Sequence, residues 1–151
     1  MDGGEQQNIV WSREGWGAFK ALPKDTPLHM INLIRLREQA AYPADHPKHG
    51  KGLSGWDAYR AYGTESAPIF TRVGGRQVWL GRPDLVLIGP ASEQWDIAFI
   101  AEYPNADAFI EMQRDPAYQQ AALNRTAAVR DSRLIRSEPL AAGGGFGMPD
   151  G

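Results

Sequence analysis

The segment Asp115-Pro116-Ala117-Tyr118-Gln119-Gln120 runs on through Arg125 to Asp131-Ser132-Arg133-Leu134-Ile135 and constrains the fold more than any other stretch. Asp115 suits an N-cap, where a carboxylate accepts hydrogen bonds from the first unpaired backbone N–H groups. Pro116 suits the first helical position because its missing donor would go unpaired there anyway. A helix that starts this sharply and delivers the chain straight into an apolar strand is half of a βαβ unit. Tyr118 and Arg125 stand seven residues apart on that helix, close to two turns, so they share one face about 10 Å from each other.

The preceding chain alternates in the same way. Ser12 caps a short helix with Trp16 and Phe19 on its buried side, ended by Leu22-Pro23. Leu28 to Leu36 is an apolar run of strand length, interrupted by Asn32 and Arg35. After a long polar loop over residues 38–53, Ser54 and Asp57 form a capping-box start to a helix of residues 54–73. Its expected buried stripe is Trp56, Tyr59, Gly63, Ala67 and Phe70, with a kink at Pro68 and a stop at Gly74-Gly75. Arg76 to Gly81 reads as a strand, and Leu85 to Ile88 as its continuation or as a partner strand. Trp95 to Tyr103 follows, then a short helix capped by Asn105 with Phe109 and Met112 inward. The strand from Arg130 to Arg136 comes last.

The order is βαββαβ with an added N-terminal helix, which predicts an α+β, ferredoxin-like antiparallel sheet with helices on one face only. On the strand from Trp95 to Tyr103, however, apolar side chains fall on both faces, since successive residues alternate sides. The second face then needs a partner, and a face-to-face homodimer supplies one. Residues 1–8 and 141–151 read as flexible tails, the second rich in glycine, and residues 9–140 as a single domain.

Composition excludes several function classes. A formal charge of -2 argues against a nucleic-acid partner. The absence of cysteine removes disulfides, thiolate chemistry and cysteine-ligated metals, and suits a cytoplasmic setting. No segment approaches the roughly 20 apolar residues that span a bilayer, so no membrane partner is expected. No phosphate-cradling glycine loop precedes a helix, and no serine lies in a nucleophile elbow. His46 and His49 lack the further ligands of a zinc signature, so no metal is expected, nor any other cofactor.

Several positions are candidates for chemistry. Asn32 is a polar group on a buried strand and needs either a hydrogen-bond partner or a solvated cavity. Arg35 has the opposite parity, so only one of the two faces a cleft, and Asn32 is the preferred one. Tyr59 and Tyr62 offer phenolic donors, and Trp79 offers a pocket wall; the competing role for all three is core packing. Arg125 suits capture of a carboxylate or enolate and Tyr118 donation to a carbonyl oxygen. The competing role for Arg125 is an internal salt bridge to Asp131 or Asp115. The candidate catalytic residues are therefore Tyr118, Arg125 and Asn32, and the candidate ligand-binding set adds Tyr59, Tyr62 and Trp79.

Gly74-Gly75-Arg76, Glu102-Tyr103-Pro104, Asp115-Pro116-Ala117-Tyr118-Gln119, Arg125 and Asp131-Ser132-Arg133 together resemble the family known as domain of unknown function 1330, over about residues 28–137. The resemblance implies a dimeric α+β barrel, similar in fold to antibiotic-biosynthesis monooxygenases, muconolactone isomerases and haem-handling dismutases. It implies a homodimer with a small-molecule ligand, either a cofactor-independent enzyme acting on a carbonyl or carboxylate compound or a noncatalytic binding protein. A haem-binding barrel with His29 as axial ligand is a further alternative. Many relatives carry Glu-Gly near the end of the second strand, where this chain has Ile88-Gly89, so an acid able to act as a base is missing there.

Overall fold

The computed structural model describes residues 8–151. In chain order its elements are α1 (Arg13–Ala21), β1 (Leu28–Leu36), α2 (Gly55–Arg72), β2 (Arg76–Gly81), β3 (Ile97–Tyr103), α3 (Ala106–Arg114), α4 (Pro116–Ala128) and β4 (Val129–Ser137). The strands form one antiparallel sheet in the order β2-β3-β1-β4, the ferredoxin-like arrangement expected from the element order. Of the expected tail over residues 1–8, residues 1–7 lie outside the described residues, and Asn8 O accepts from Ser132 Oγ. At the other end the chain turns back on itself, with Gly143 N–H donating to Met148 O at 2.8 Å.

Local signals in the sequence account for the helix starts. Ser12 Oγ accepts from Gly15 N, Asn105 Oδ1 from Ala108 N, and Asp115 Oδ1 from Ala117 N. Ser54 and Asp57 close a reciprocal capping box. The glycine that follows it is obligatory for packing: a Cβ on Gly55 would lie 2.0 Å from the backbone oxygen of Arg37, so α2 can start against the end of β1 only with no side chain there.

Three expectations require correction. The buried stripe of α2 is Gly55, Ala58, Ser66 and Ile69, with Tyr59, Tyr62 and Phe70 half-buried; Trp56, Gly63 and Ala67 face solvent. Small residues permit the close approach of α2 to β1 and α4, so they and not the large aromatic Trp56 define the inner face. Leu85–Ile88 forms no strand: Pro83 ends the pairing of β2, and Leu85, Leu87 and Ile88 are exposed. Ile88 therefore stands in an exposed loop and not at a strand end. β3 also begins at Ile97, two residues later than expected.

Along β1 the burial alternates strictly, with Leu28, Met30, Asn32, Ile34 and Leu36 turned toward the helices. The core falls into two apolar clusters, one around Leu28, Met30, Tyr103 and Phe109 and one around Ile34, Leu36, Ile97 and Val129. Asn32 lies between them on the same strand face. A polar residue at that position interrupts the packing where the cavity opens. The opposite sheet face carries Ile31, Leu33 and Ile100, with Trp79 and Ile135 about half-exposed. It also carries the pairs His29–Glu102 and Arg76–Glu102, at 2.9 and 2.7 Å.

Candidate functional site

Between the helix-facing side of the sheet and α1, α3 and α4 lies a cavity of about 840 Å³. Its walls are apolar: Trp16 and Phe19 come from α1, Met30 from β1, Phe99 from β3 and Phe109 from α3. The α1 side is built as a stack, with Trp11 4.8 Å from Trp16, Trp16 5.4 Å from Phe19, and Phe19 tilted against Phe109 at 5.1 Å between ring centroids. Geometries of this kind are favourable for aromatic pairs. A second cleft of about 480 Å³ beside Trp56 and Trp95 contains none of the candidate site residues.

The polar end of the cavity is assembled from four elements. Asn32 is buried on β1 and donates through Nδ2 to Met30 O at 3.0 Å. Tyr118, held inward by the Asp115 cap one turn earlier, meets Tyr62 of α2, their phenolic oxygens 2.7 Å apart. Two turns further along α4, Arg125 reaches Ile9 O at 2.6 Å and Ser132 Oγ at 3.3 Å. Neither carboxylate expected to compete for it does so: Asp115 pairs with Arg72, and Asp131 with Arg133.

Among the described residues the lining holds three arginines, Arg125, Arg133 and Arg136, and no aspartate, glutamate or histidine. Arg133 is neutralised by Glu93 and Asp131, at 3.3 and 3.0 Å. Arg125 and Arg136 donate to backbone carbonyls and to a hydroxyl, which satisfy hydrogen bonds but not charge.

Tyrosine ionisation is suppressed around this end. Burial holds the Tyr62 hydroxyl well above its ordinary pKa, the nearby Tyr118 and Tyr59 add to the effect, and Arg125 opposes it weakly. Tyr59 and Tyr103 are likewise raised, chiefly by burial. These phenols stay neutral and act as hydrogen-bond donors, not as phenolate bases. The site thus offers two arginines with no carboxylate partner among the described residues, Arg125 and Arg136, together with neutral hydroxyl donors and a large apolar volume, a combination suited to an organic anion or an oxygen atom that gains negative charge.

Of the six sequence-derived positions, Asn32, Tyr62, Tyr118 and Arg125 line the cavity. Tyr59 packs behind them, its ring 5.5 Å from that of Tyr62. Trp79 does not join them: it pairs with Ile100 and lies on the opposite sheet face. A bulge between Gln77 and Trp79 shifts the register there, which simple alternation along the strand cannot reveal. None of the three histidines lines the cavity. His29 lies beside Glu102 on the opposite face, while His46 and His49 brace turns in the loop over residues 38–53.

Ser132 and the aromatic wall of α1 were not among the candidates. Ser132 was legible in principle, because in the register with β1 it follows Asn32 onto the helix-facing side. The wall was half-legible in the three-residue spacing of Trp16 and Phe19, but nothing local indicates which surface that pair covers.

Sheet order, one-sided helices and an added N-terminal helix define a ferredoxin-like α+β protein. The chain belongs to the family described as domain of unknown function DUF1330, whose model matches residues 54–137. It is similar to RPA0582, a protein of unknown function from Rhodopseudomonas palustris, at 49% identity and a TM-score of 0.82 over 89% of this chain and 98% of that one. The methylated form of RPA0582 gives 48% identity and a TM-score of 0.84, covering 91% and 98%. A putative antibiotic biosynthesis monooxygenase from Caulobacter crescentus shares the fold at a TM-score of 0.52 and 9% identity, covering 82% and 99%. No functionally curated protein sequence matches the chain. Among the described residues no helix is long and apolar enough to cross a membrane.

Proposed function

We propose that this protein is a homodimeric α+β barrel that binds a small, largely apolar carboxylate or carbonyl compound in the cavity between sheet and helices. The observation that carries this reading is Arg125: a permanent cation at the polar end of an aromatic cavity, with no carboxylate partner among the described residues. An isolated charge in such surroundings is costly, and an anionic ligand compensates it. Tyr118 and Asn32 orient the ligand, and the aromatic wall holds its apolar part. The domain over residues 9–140 is the binding unit, in a cytoplasmic setting that a cysteine-free chain suits.

Homodimerisation is supported by the sheet face opposite the helices, where Trp79 and Ile135 stay half-exposed beside Ile31, Leu33 and Ile100. Apolar patches of this kind mark interaction surfaces.

If the protein is an enzyme, cofactor-independent isomerisation or oxygenation through an enolate suits the site. Arg125 would stabilise the enolate oxygen and Tyr118 would donate to it. The noncatalytic alternative draws on a specific observation: no aspartate, glutamate or histidine among the described residues lines the cavity to serve as a general base. Haem ligation through His29 draws no support, because that side chain lies beside Glu102 on the opposite sheet face.

Native mass spectrometry of gently purified full-length protein tests the reading. A dimer retaining an organic anion is expected, with retention reduced in Arg125→Ala and Tyr118→Phe variants whose fold is intact. A monomer would overturn the dimer, and unchanged retention in both variants would overturn the site.

A further inference from the structure

We propose that Arg125 and Ser132 form the anion seat of the cavity, and that the chain's own backbone carbonyls at Asn8 and Ile9 occupy this seat until an organic carboxylate displaces them. The inference rests on the reading of the cavity as a ligand site. Arg125 Nη1 donates to Ile9 O at 2.6 Å, Ser132 Oγ donates to Asn8 O at 2.5 Å, and Arg125 Nη2 lies 3.3 Å from Ser132 Oγ. Two successive carbonyl oxygens thus sit on two adjoining donors, one charged and one neutral, as the two oxygens of a carboxylate would.

The segment that carries these carbonyls is attached in a way that permits exchange. α1 has no fully buried residue and rests on the cavity through stacked rings. Its far end is held by Arg136, which donates to the carbonyl oxygens of Phe19 and Pro23. Both ends of the strap are therefore fastened by arginines to neutral acceptors. A carboxylate forms charge-assisted, bidentate bonds with a guanidinium that are roughly twice as strong as those of a neutral carbonyl. The displaced carbonyls lose little, since water satisfies them.

The ligand class follows from the seat and the walls together. One carboxylate sits on Arg125 and Ser132, and an aryl or branched apolar body fills the space among Trp16, Met30, Phe99 and Phe109. Ser132 is then a ligand-binding residue, and the strap a built-in competitor.

The test uses full-length protein with a series of ω-phenylalkanoates of increasing chain length, and the matching carboxamides as uncharged controls. Calorimetry reports binding, and hydrogen exchange at the amides of Gly15 and Trp16, which donate to Ser12 at the start of α1, reports the strap. At least one carboxylate is expected to bind about tenfold or more tightly than its amide. That binding is lost in Arg125→Ala, and exchange at Gly15 and Trp16 accelerates on saturation. Ser132→Ala, without any ligand, accelerates exchange at the same amides and weakens carboxylate binding severalfold. Arg125-dependent binding with exchange at Gly15 and Trp16 unchanged or slowed would overturn the displacement and leave the ligand site standing. If no member of the series shows Arg125-dependent binding, the site reading falls and the strap inference with it.

Discussion

Tyr62 on α2 and Tyr118 on α4 meet with their phenolic oxygens 2.7 Å apart, joining the two main helices at the polar end of the cavity. Replacing Tyr62 by Phe leaves the buried Tyr118 hydroxyl without this partner, at an expected cost of about 1–2 kcal/mol. Because burial raises the pKa of Tyr62, the folded state keeps its proton at pH values where the unfolded chain has lost it. This stability is full below the ordinary tyrosine pKa of about 10 and declines as pH rises above it. Urea midpoints across the alkaline limb should therefore fall less steeply in Tyr62→Phe than in the parent. Identical slopes would contradict the assignment.

Asn124 is the polar anchor of the long loop over residues 38–53. Its Oδ1 accepts from Tyr42 Oη at 2.6 Å and Lys48 Nζ at 2.9 Å, and its Nδ2 donates to Glu65 Oε1 at 3.0 Å and Ala121 O at 3.1 Å. With the side chain only 1% exposed, Asn124→Ala strands the buried Tyr42 hydroxyl on the loop and unties Lys48 and Glu65 from α4. Destabilisation of about 2–3 kcal/mol is expected. Hydrogen exchange should show faster opening confined to residues 38–53, and uniform acceleration across the molecule would count against a local anchor.

Glu102 links the β3 and β1 strands to Arg76 across the sheet face opposite the helices. Hydrogen bonds from His29 and then Arg76 hold its carboxyl below the ordinary value of 4.5. A depressed carboxylate contributes stability that is present above that ordinary value and lost as pH falls through the depressed one. The acid limb of a stability profile should accordingly be shallower in Glu102→Gln. An unchanged limb would place the acid sensitivity elsewhere.

The apolar sheet face gives a further prediction. Ile135 is 50% exposed there and pairs in register with Ile31. A lysine at that position would place a charge in a face-to-face interface, where burial without a partner is costly. Ile135→Lys should convert the proposed dimer to a monomer by sedimentation velocity, with the far-ultraviolet circular dichroism unchanged. A persistent dimer would direct attention to another surface.

The parts of the molecule readable from its residues share one physical property: they are local. Ser12, Ser54, Asn105 and Asp115 cap helices through bonds spanning two or three residues, so the starts of all the helices were legible. The length of the apolar run from Leu28 to Leu36 marked the strand, and the opposite parities of Asn32 and Arg35 left one of them for the cleft, which the structure gives to Asn32. The failures were non-local. The inner face of α2 is set by how closely β1 and α4 approach it, which favours Gly55, Ala58 and Ser66 over the conspicuous Trp56. The apolar run at Leu85–Ile88 finds no strand to pair with. Trp79 followed a bulge to the other face. Tyr118 and Arg125 shared a cavity as their spacing suggested, but the partners of Arg125 come from more than a hundred residues away, at Ile9, and from the next strand. Helical spacing carries no information about either.

Arg125 is the residue on which the functional reading turns, so the most direct measurement is calorimetric titration of the protein and its Arg125→Ala variant with a panel of aryl and branched-chain carboxylates. The parent is expected to bind at least one member, with the affinity reduced by about tenfold or more in Arg125→Ala. The variant should keep the thermal stability and oligomeric state of the parent. Equal affinity in the two proteins, or no binding by either across the panel, would contradict a carboxylate site at Arg125.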